Sequence, residues 1–145
     1  MKTIFKIIIL SSFILGLQTN IFGQCKSFTK QVCKPKLSPY IYNGQVNSAV
    51  LSEGDIAELM MTFYSGQDYR IVVCGEETLK NITFTLKDMN GNEIFTNADH
   101  NMTDHWDFHA KVTQQLTVEV SIPVYDDNSD DSGCVSILVG FKDKK

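Results

Sequence analysis

Hydrophobic and polar residues alternate with a period of two along most of this chain, and short clusters of turn residues separate the alternating runs. Ile82-Thr83-Phe84-Thr85-Leu86-Lys87 sends Ile82, Phe84 and Leu86 to one face and Thr83, Thr85 and Lys87 to the other, as a half-buried strand does. It runs into Asp88-Met89-Asn90-Gly91-Asn92 and then Glu93-Ile94-Phe95. Asn90-Gly91 is a dipeptide suited to positive φ at both central positions of a type I′ turn, so a hairpin is predicted here. Leu116, Val118, Val120 and Ile122 alternate as cleanly, and Pro123 ends that strand. Residues 69–73 and 135–141 are more continuously apolar, which predicts central strands. Weaker runs at 40–51, 56–64 and 105–110 bring the total to about eight strands at the short intervals of an antiparallel sandwich. Residues 56–61 alone can pass for a helical turn. The extended Thr62-Phe63 and the turn Tyr64-Ser65-Gly66-Gln67 assign them to a strand.

The order of these runs carries a resemblance. Residues 56–63, Ser65-Gly66, residues 69–73, Phe84-Thr85-Leu86-Lys87-Asp88 with Asn90-Gly91, Trp106-Asp107-Phe108, residues 116–120 and residues 135–139 together resemble the bacterial prepeptidase C-terminal domain. The order is also similar to GOLD-type sandwiches of secreted proteins. The resemblance spans about residues 55–141 and implies an all-β, antiparallel jelly-roll-like β-sandwich that serves as a non-catalytic accessory module. Leu116, where that family has an aromatic residue, and the cysteines stand outside its pattern.

The beginning of the chain has a different pattern. Lys2 and Lys6 precede an apolar run from Ile7 to Leu17, and Ile21-Phe22-Gly23 offers a small residue for cleavage, which together read as a secretory signal peptide. The apolar run is broken by Ser11, Ser12 and Gly16 and is shorter than the roughly 20 residues that span a bilayer. The chain therefore divides into a signal peptide (1–23), a cysteine- and lysine-containing arm (24–38) and a single sandwich domain (39–145), with no membrane span after processing. The mature protein is expected to be secreted or periplasmic, or to associate with the cell surface. An acylated Cys25 is the remaining route to a membrane, but Gln24 stands where lipoprotein signals place a small residue.

Charge sharpens this picture. The mature chain has 122 residues, with 11 basic against 17 acidic side chains, a net charge of −6 that argues against a nucleic-acid partner. Lys26, Lys30, Lys34 and Lys36 crowd the arm, which reads as loosely attached, while Asp126, Asp127, Asp130 and Asp131 crowd a late loop. Cys25, Cys33, Cys74 and Cys134 are an even number of cysteines in an exported chain, so two disulfides are expected. Three pairings are open. A local Cys25–Cys33 bridge with a long-range Cys74–Cys134 bridge is favoured, because the latter two lie in or beside core strands. The spacings of zinc-binding cysteine pairs are absent.

No nucleophile elbow, HExxH, P-loop or dinucleotide-binding glycine turn occurs, so the chain is read as non-catalytic. All three histidines fall between His100 and His109. On a strand, His105, Asp107 and His109 share a face and can hold zinc or copper, while Trp106 and Phe108 point the other way. Burial of those two aromatics explains the same alternation without a metal. Residues 126–131 are rich enough in oxygen to bind Ca²⁺ but lack EF-hand spacing, and a solvated loop explains them as well. Tyr40 and Tyr42, two apart on a strand, can form an aromatic shelf for a sugar ring, or belong to the core. Asn81-Ile82-Thr83 and Asn101-Met102-Thr103 match the glycosylation acceptor pattern, which matters only in a eukaryotic secretory route. The expectation is an exported binding or envelope-associated module that meets a protein or glycan surface. A metal-binding secreted protein using the His/Asp/His face is the alternative.

Overall fold

The computed structural model describes residues 21–125 and 131–142. Residues 1–20 of the expected signal peptide and Asp126, Asp127 and Asp130 of the acidic loop lie outside them. Among the described residues, nine strands form two antiparallel sheets. They are β1 (Ile41–Tyr42), β2 (Asn47–Ser52), β3 (Ile56–Phe63), β4 (Gln67–Gly75), β5 (Thr83–Lys87), β6 (Glu93–Thr96), β7 (His105–Ala110), β8 (Gln114–Ser121) and β9 (Ser132–Phe141).

The first sheet runs β1-β9-β4-β7, with β2 also paired to β9 beside β1, and the second runs β3-β8-β5-β6. β1 and β2 hydrogen-bond different lengths of the same edge of β9, so they act as one strand broken at residues 43–46. Counted that way there are eight strands, in the order 1-8-3-6 facing 2-7-4-5. That order is a jelly roll, the architecture expected from the sequence.

The inner faces supply the core. Phe63, Ile71, Phe84, Leu86, Leu116, Val118, Val120 and Ile122 are all but inaccessible to solvent. Trp106 and Phe108 point inward from β7 and stack at 4.6 Å, continuing through Phe95 on one side and Tyr69 on the other. Burial of these aromatics therefore accounts for the β7 alternation. The β5–β6 hairpin forms as predicted, but its turn is not type I′. Gly91 alone has positive φ, at 81°, and Asp88 accepts hydrogen bonds from the Asn90 and Asn92 amides through its Oδ1. The short aspartate side chain thus organises a longer loop in which a glycine supplies the one left-handed residue.

The N-terminal arm departs most from expectation. It is not loosely attached. Helix α1 (Ile21–Phe28) continues into a π-helical turn (Thr29–Cys33) and a 3₁₀ turn (Lys34–Leu37) that lie on the outer face of the first sheet. Cys25, Thr29, Cys33 and Leu37 are buried at four-residue spacing. A strict four-residue stripe drifts around an α-helix of 3.6 residues per turn, and the wider π turn offsets that drift. Cys33 and Leu37 pack on Val72, Cys74 and Leu138, making a second, smaller core on the side of the sheet that would otherwise face water. The Thr29 hydroxyl donates to the Cys25 carbonyl and shares a 2.7 Å hydrogen bond with Ser136.

The disulfides are Cys25–Cys134 and Cys33–Cys74, with Cα atoms 5.2 and 6.0 Å apart. All four cysteines are paired, but each bridge joins the arm to the sheet, which overturns the pairing favoured from the sequence. The reason is geometric. Eight residues along a helix span about 12 Å, well past the roughly 7 Å that a disulfide can bridge. Cys25 and Cys33 therefore cannot reach each other once the arm is helical. A Cys25 sulfur bonded to Cys134 is also not free to carry an acyl group.

Candidate binding surface

The residues singled out in the sequence gather on the outer face of the first sheet, beyond the end of the arm. β4 and β7 pair so that Asp68 faces His109, Arg70 faces Asp107 and Val72 faces His105. The Arg70 guanidinium holds both Asp107 oxygens at 2.7 Å and donates to the carbonyls of Ser38 and Lys36 at 2.8 and 3.2 Å. It therefore fastens the chain that links the arm to β1. The Arg70 hydrogen bonds hold the Asp107 carboxyl below the usual range, against a smaller opposing effect of burial. Asp107 in turn raises the Arg70 pKa further.

His105, Asp107 and His109 do share one face, but each has a different partner. His105 Nδ1 lies 2.9 Å from Asp104, and His109 Nδ1 lies 2.7 Å from Asp68. Asp104 also takes the Lys36 ammonium at 2.5 Å. Burial works to raise the Asp104 pKa, and the hydrogen bonds from Lys36 and His105 outweigh it and lower the value. Among the described residues, no three His, Cys, Asp or Glu side chains converge as metal ligands would.

Tyr40 and Tyr42 lie on the same side of the chain and line one open cleft of about 450 Å³ with Lys30, Lys34, Pro35 and Pro39. Arg70 lies 4.8 Å and Lys142 4.9 Å from the Tyr40 ring centre, and Lys34 lies 5.5 Å from that of Tyr42. A sugar ring stacking on Tyr40 would have to compete with those cations. Burial, followed by the nearby Asp107 charge, pushes the Tyr40 phenol up, and burial alone does so for Tyr42. Both hydroxyls therefore stay protonated, and Tyr42 donates to the Gln45 carbonyl at 2.5 Å. Gly140 makes this arrangement possible: a Cβ there would lie 2.7 Å from Tyr40 Cβ and 3.1 Å from Leu37 Cδ2.

The lysines turn the cleft into a charged surface. Residues 21–52 contain Lys26, Lys30, Lys34 and Lys36 and no acid, whereas residues 53–145 carry all 17 acidic side chains. Lys26, Lys30 and Lys34 each follow a buried arm residue, so they line up beside the buried stripe and are exposed. Among the described residues, none of the three is in an ion pair, since Lys36 is the arm lysine that is paired. The clustering of these lysines was visible in the sequence. Their fixed spacing was not, and the four-residue recurrence of Cys25, Thr29, Cys33 and Leu37 is the signal that reveals it.

This is a disulfide-stapled jelly-roll sandwich with a basic helical arm. Among the described residues, no helix is long and apolar enough to cross a membrane. No family model matches the chain, and no curated protein matches it. Among solved structures it is similar in fold to Aeromonas hydrophila PliG, a periplasmic lysozyme inhibitor of g-type lysozyme. The TM-score is 0.53 at 11% sequence identity, over 72% of this chain and 89% of the PliG chain.

Proposed function

We propose that this chain is an exported, non-catalytic binding module whose partner is a protein with an acidic surface that docks on the lysine–tyrosine cleft. The observation that carries this reading is the charge-segregated arm, whose exposed lysines are held at fixed spacing by two covalent bridges. A backbone already fixed by the bridges gives up little freedom of its own when the lysines it carries are bound, which favours its use as a docking edge. The two disulfides and the secretory leader suit an oxidising compartment outside the cytoplasm. The accessory role implied by the likeness to prepeptidase C-terminal domains agrees with it.

The fold shared with a protein inhibitor of a lysozyme supports a protein partner and suggests which to try first. Glycosidase clefts carry catalytic carboxylates, so a g-type lysozyme offers a surface of the required charge. The test is to titrate the oxidised, mature protein against cell-wall lysis by a g-type lysozyme. Lysis should fall as the protein approaches equimolar amounts, and Lys30→Glu combined with Lys34→Glu should restore it, with the inhibition weakening as salt is added. Undiminished lysis at a hundredfold excess would remove the lysozyme-inhibitor reading.

A further inference from the structure

We infer that two copies of this chain pair through the free edge of β3, joining their second sheets into one continuous sheet of eight strands. β3 is the outer strand of the β3-β8-β5-β6 sheet, and its backbone pairs with β8 alone through all eight residues without a bulge. Alternate residues of β3 therefore turn their N–H and C=O groups away from the sheet, and among the described residues no strand receives them. Folded proteins protect such edges with lysine, proline, a bulge or a short strand. β3 has none of these: it reads Ile-Ala-Glu-Leu-Met-Met-Thr-Phe, with Glu58 its one charge. The edge of β6 is four residues long, and the edge strand β7 carries His105, Asp107 and His109 on its outer face.

The side chains at this edge are also those of an interface. Ile56 is 63% exposed, Met60 61% and Tyr64, just beyond the strand, 65%. Across the opening between the sheets, Val46 and Val50 of the other sheet's edge are 49% and 46% exposed. Between the two edges lie open clefts of about 540 and 340 Å³, lined in part by Leu59, Met61 and Phe63 and by Leu51 and Ile137. Solvent-exposed apolar groups concentrated along one side of a domain mark a contact surface.

The strand sequence favours a second copy as the occupant. In an antiparallel pair about a twofold axis, opposed residues project to the same side. The axis must therefore pass through a residue if outward side chains are to stay outward in both copies. Centred on Glu58, the pairing would oppose two carboxylates, which is unfavourable. Centred on Leu59, it would set Asp55 against Phe63. Centred on Met60, it sets Met60 against Met60 of the other copy, Glu58 against Thr62 and Ile56 against Tyr64 on the outer face. On the inner face it sets Leu59 against Met61 and Ala57 against Phe63. That register leaves no like charges opposed and covers the three exposed apolar side chains named above.

The inference is tested by sedimentation equilibrium of the oxidised, mature protein. The wild type should be a dimer in reversible equilibrium with monomer. Met60→Lys, which sets two ammonium groups face to face on the axis, should be monomeric at concentrations about a hundredfold above the wild-type dissociation constant. Because Met60 points into solvent in the single chain, the variant should keep the wild-type far-ultraviolet circular dichroism. Met60→Cys should give a covalent dimer under mild oxidation, with the four native cysteines still paired as before by mass mapping. A wild type that stays monomeric at millimolar concentration would overturn the inference. So would a dimer that persists unchanged in Met60→Lys, or a Met60→Cys protein that forms no intermolecular bridge. Lysozyme inhibition reads the lysines of the arm rather than the β3 edge, so either reading can fail without the other.

Discussion

The two sheets of this sandwich are built from strands of similar length, yet they treat their outer faces in opposite ways. The second sheet keeps the ordinary division: β8 buries Leu116, Val118 and Val120 and turns Gln115, Thr117, Glu119 and Ser121 outward. There Lys87 pairs with Glu119 at 2.5 Å, and Ile56 and Met60 stand open. The first sheet has no such division along β9, where residues 133–140 are all buried, because the helical arm covers the side that would face water. The difference teaches that two-sided burial of a strand is a statement about what lies over it. Here a short basic segment, by supplying two cysteines, Thr29 and Leu37, makes half a core out of a sheet surface.

The comparison breaks most sharply if the arm is released. Replacing Cys25 and Cys134 by Ser removes a bridge between residues 109 apart. The variant should lose about 4–5 kcal/mol of unfolding free energy in chemical denaturation, the loss expected for a closed loop of about 100 residues. A loss below about 1 kcal/mol would mean that this bridge contributes little to the fold. Next in size, the same truncation should read differently on the two outer faces. Leu138→Ala under the arm should cost about 3 kcal/mol by leaving a cavity, whereas Ile56→Ala on the bare face of the isolated chain should cost less than about 0.5 kcal/mol. Equal costs would erase the distinction between the faces. The smallest effect is a matter of pH. The Asp107 pKa is lowered in the folded chain, so its contribution is present above the ordinary carboxylate value and fades as pH falls through the lower folded value. Asp107→Asn should therefore be less stable than the wild type at pH 7. The gap should narrow in acid as Asp107 takes up its proton, and urea unfolding at pH 7 and at successively lower pH follows it.

Much of the architecture was legible because alternation reports burial directly. Ile82, Phe84 and Leu86, and the matching set on β8, announced their inner face, and the more continuously apolar run of β9 announced a central strand. What covered it was not legible. Among the described side chains of the arm four are buried, and two are cysteines, which carry no period that hydropathy can detect in so short a segment. The place of Cys74 and Cys134 in or beside core strands favours pairing them with each other and leaves Cys25 to Cys33, and only the helical rise of the arm excludes that bridge. Tyr40 and Tyr42 were visible as a same-side pair, whereas Arg70, which gathers Asp107 and the 36–38 carbonyls, looked like one more charge on a strand. Its role depends on which segment folds back above it, and that information is long-range.

The Cys25–Cys134 bridge also determines how the molecule carries load. A pull applied ahead of Cys25 and beyond Cys134 enters at Cys25 and passes through the sulfur–sulfur bond to Cys134, bypassing the 108 residues between them. Strands β1 to β8 lie inside that closed loop and feel no tension along their length, whatever the force at the ends. Beyond Cys134, the described residues 135–142 can be drawn out by peeling β9 from its neighbours. In an envelope where a module is tethered at one end and gripped at the other, the basic ridge and its cleft are thus spared extension by covalent bookkeeping alone.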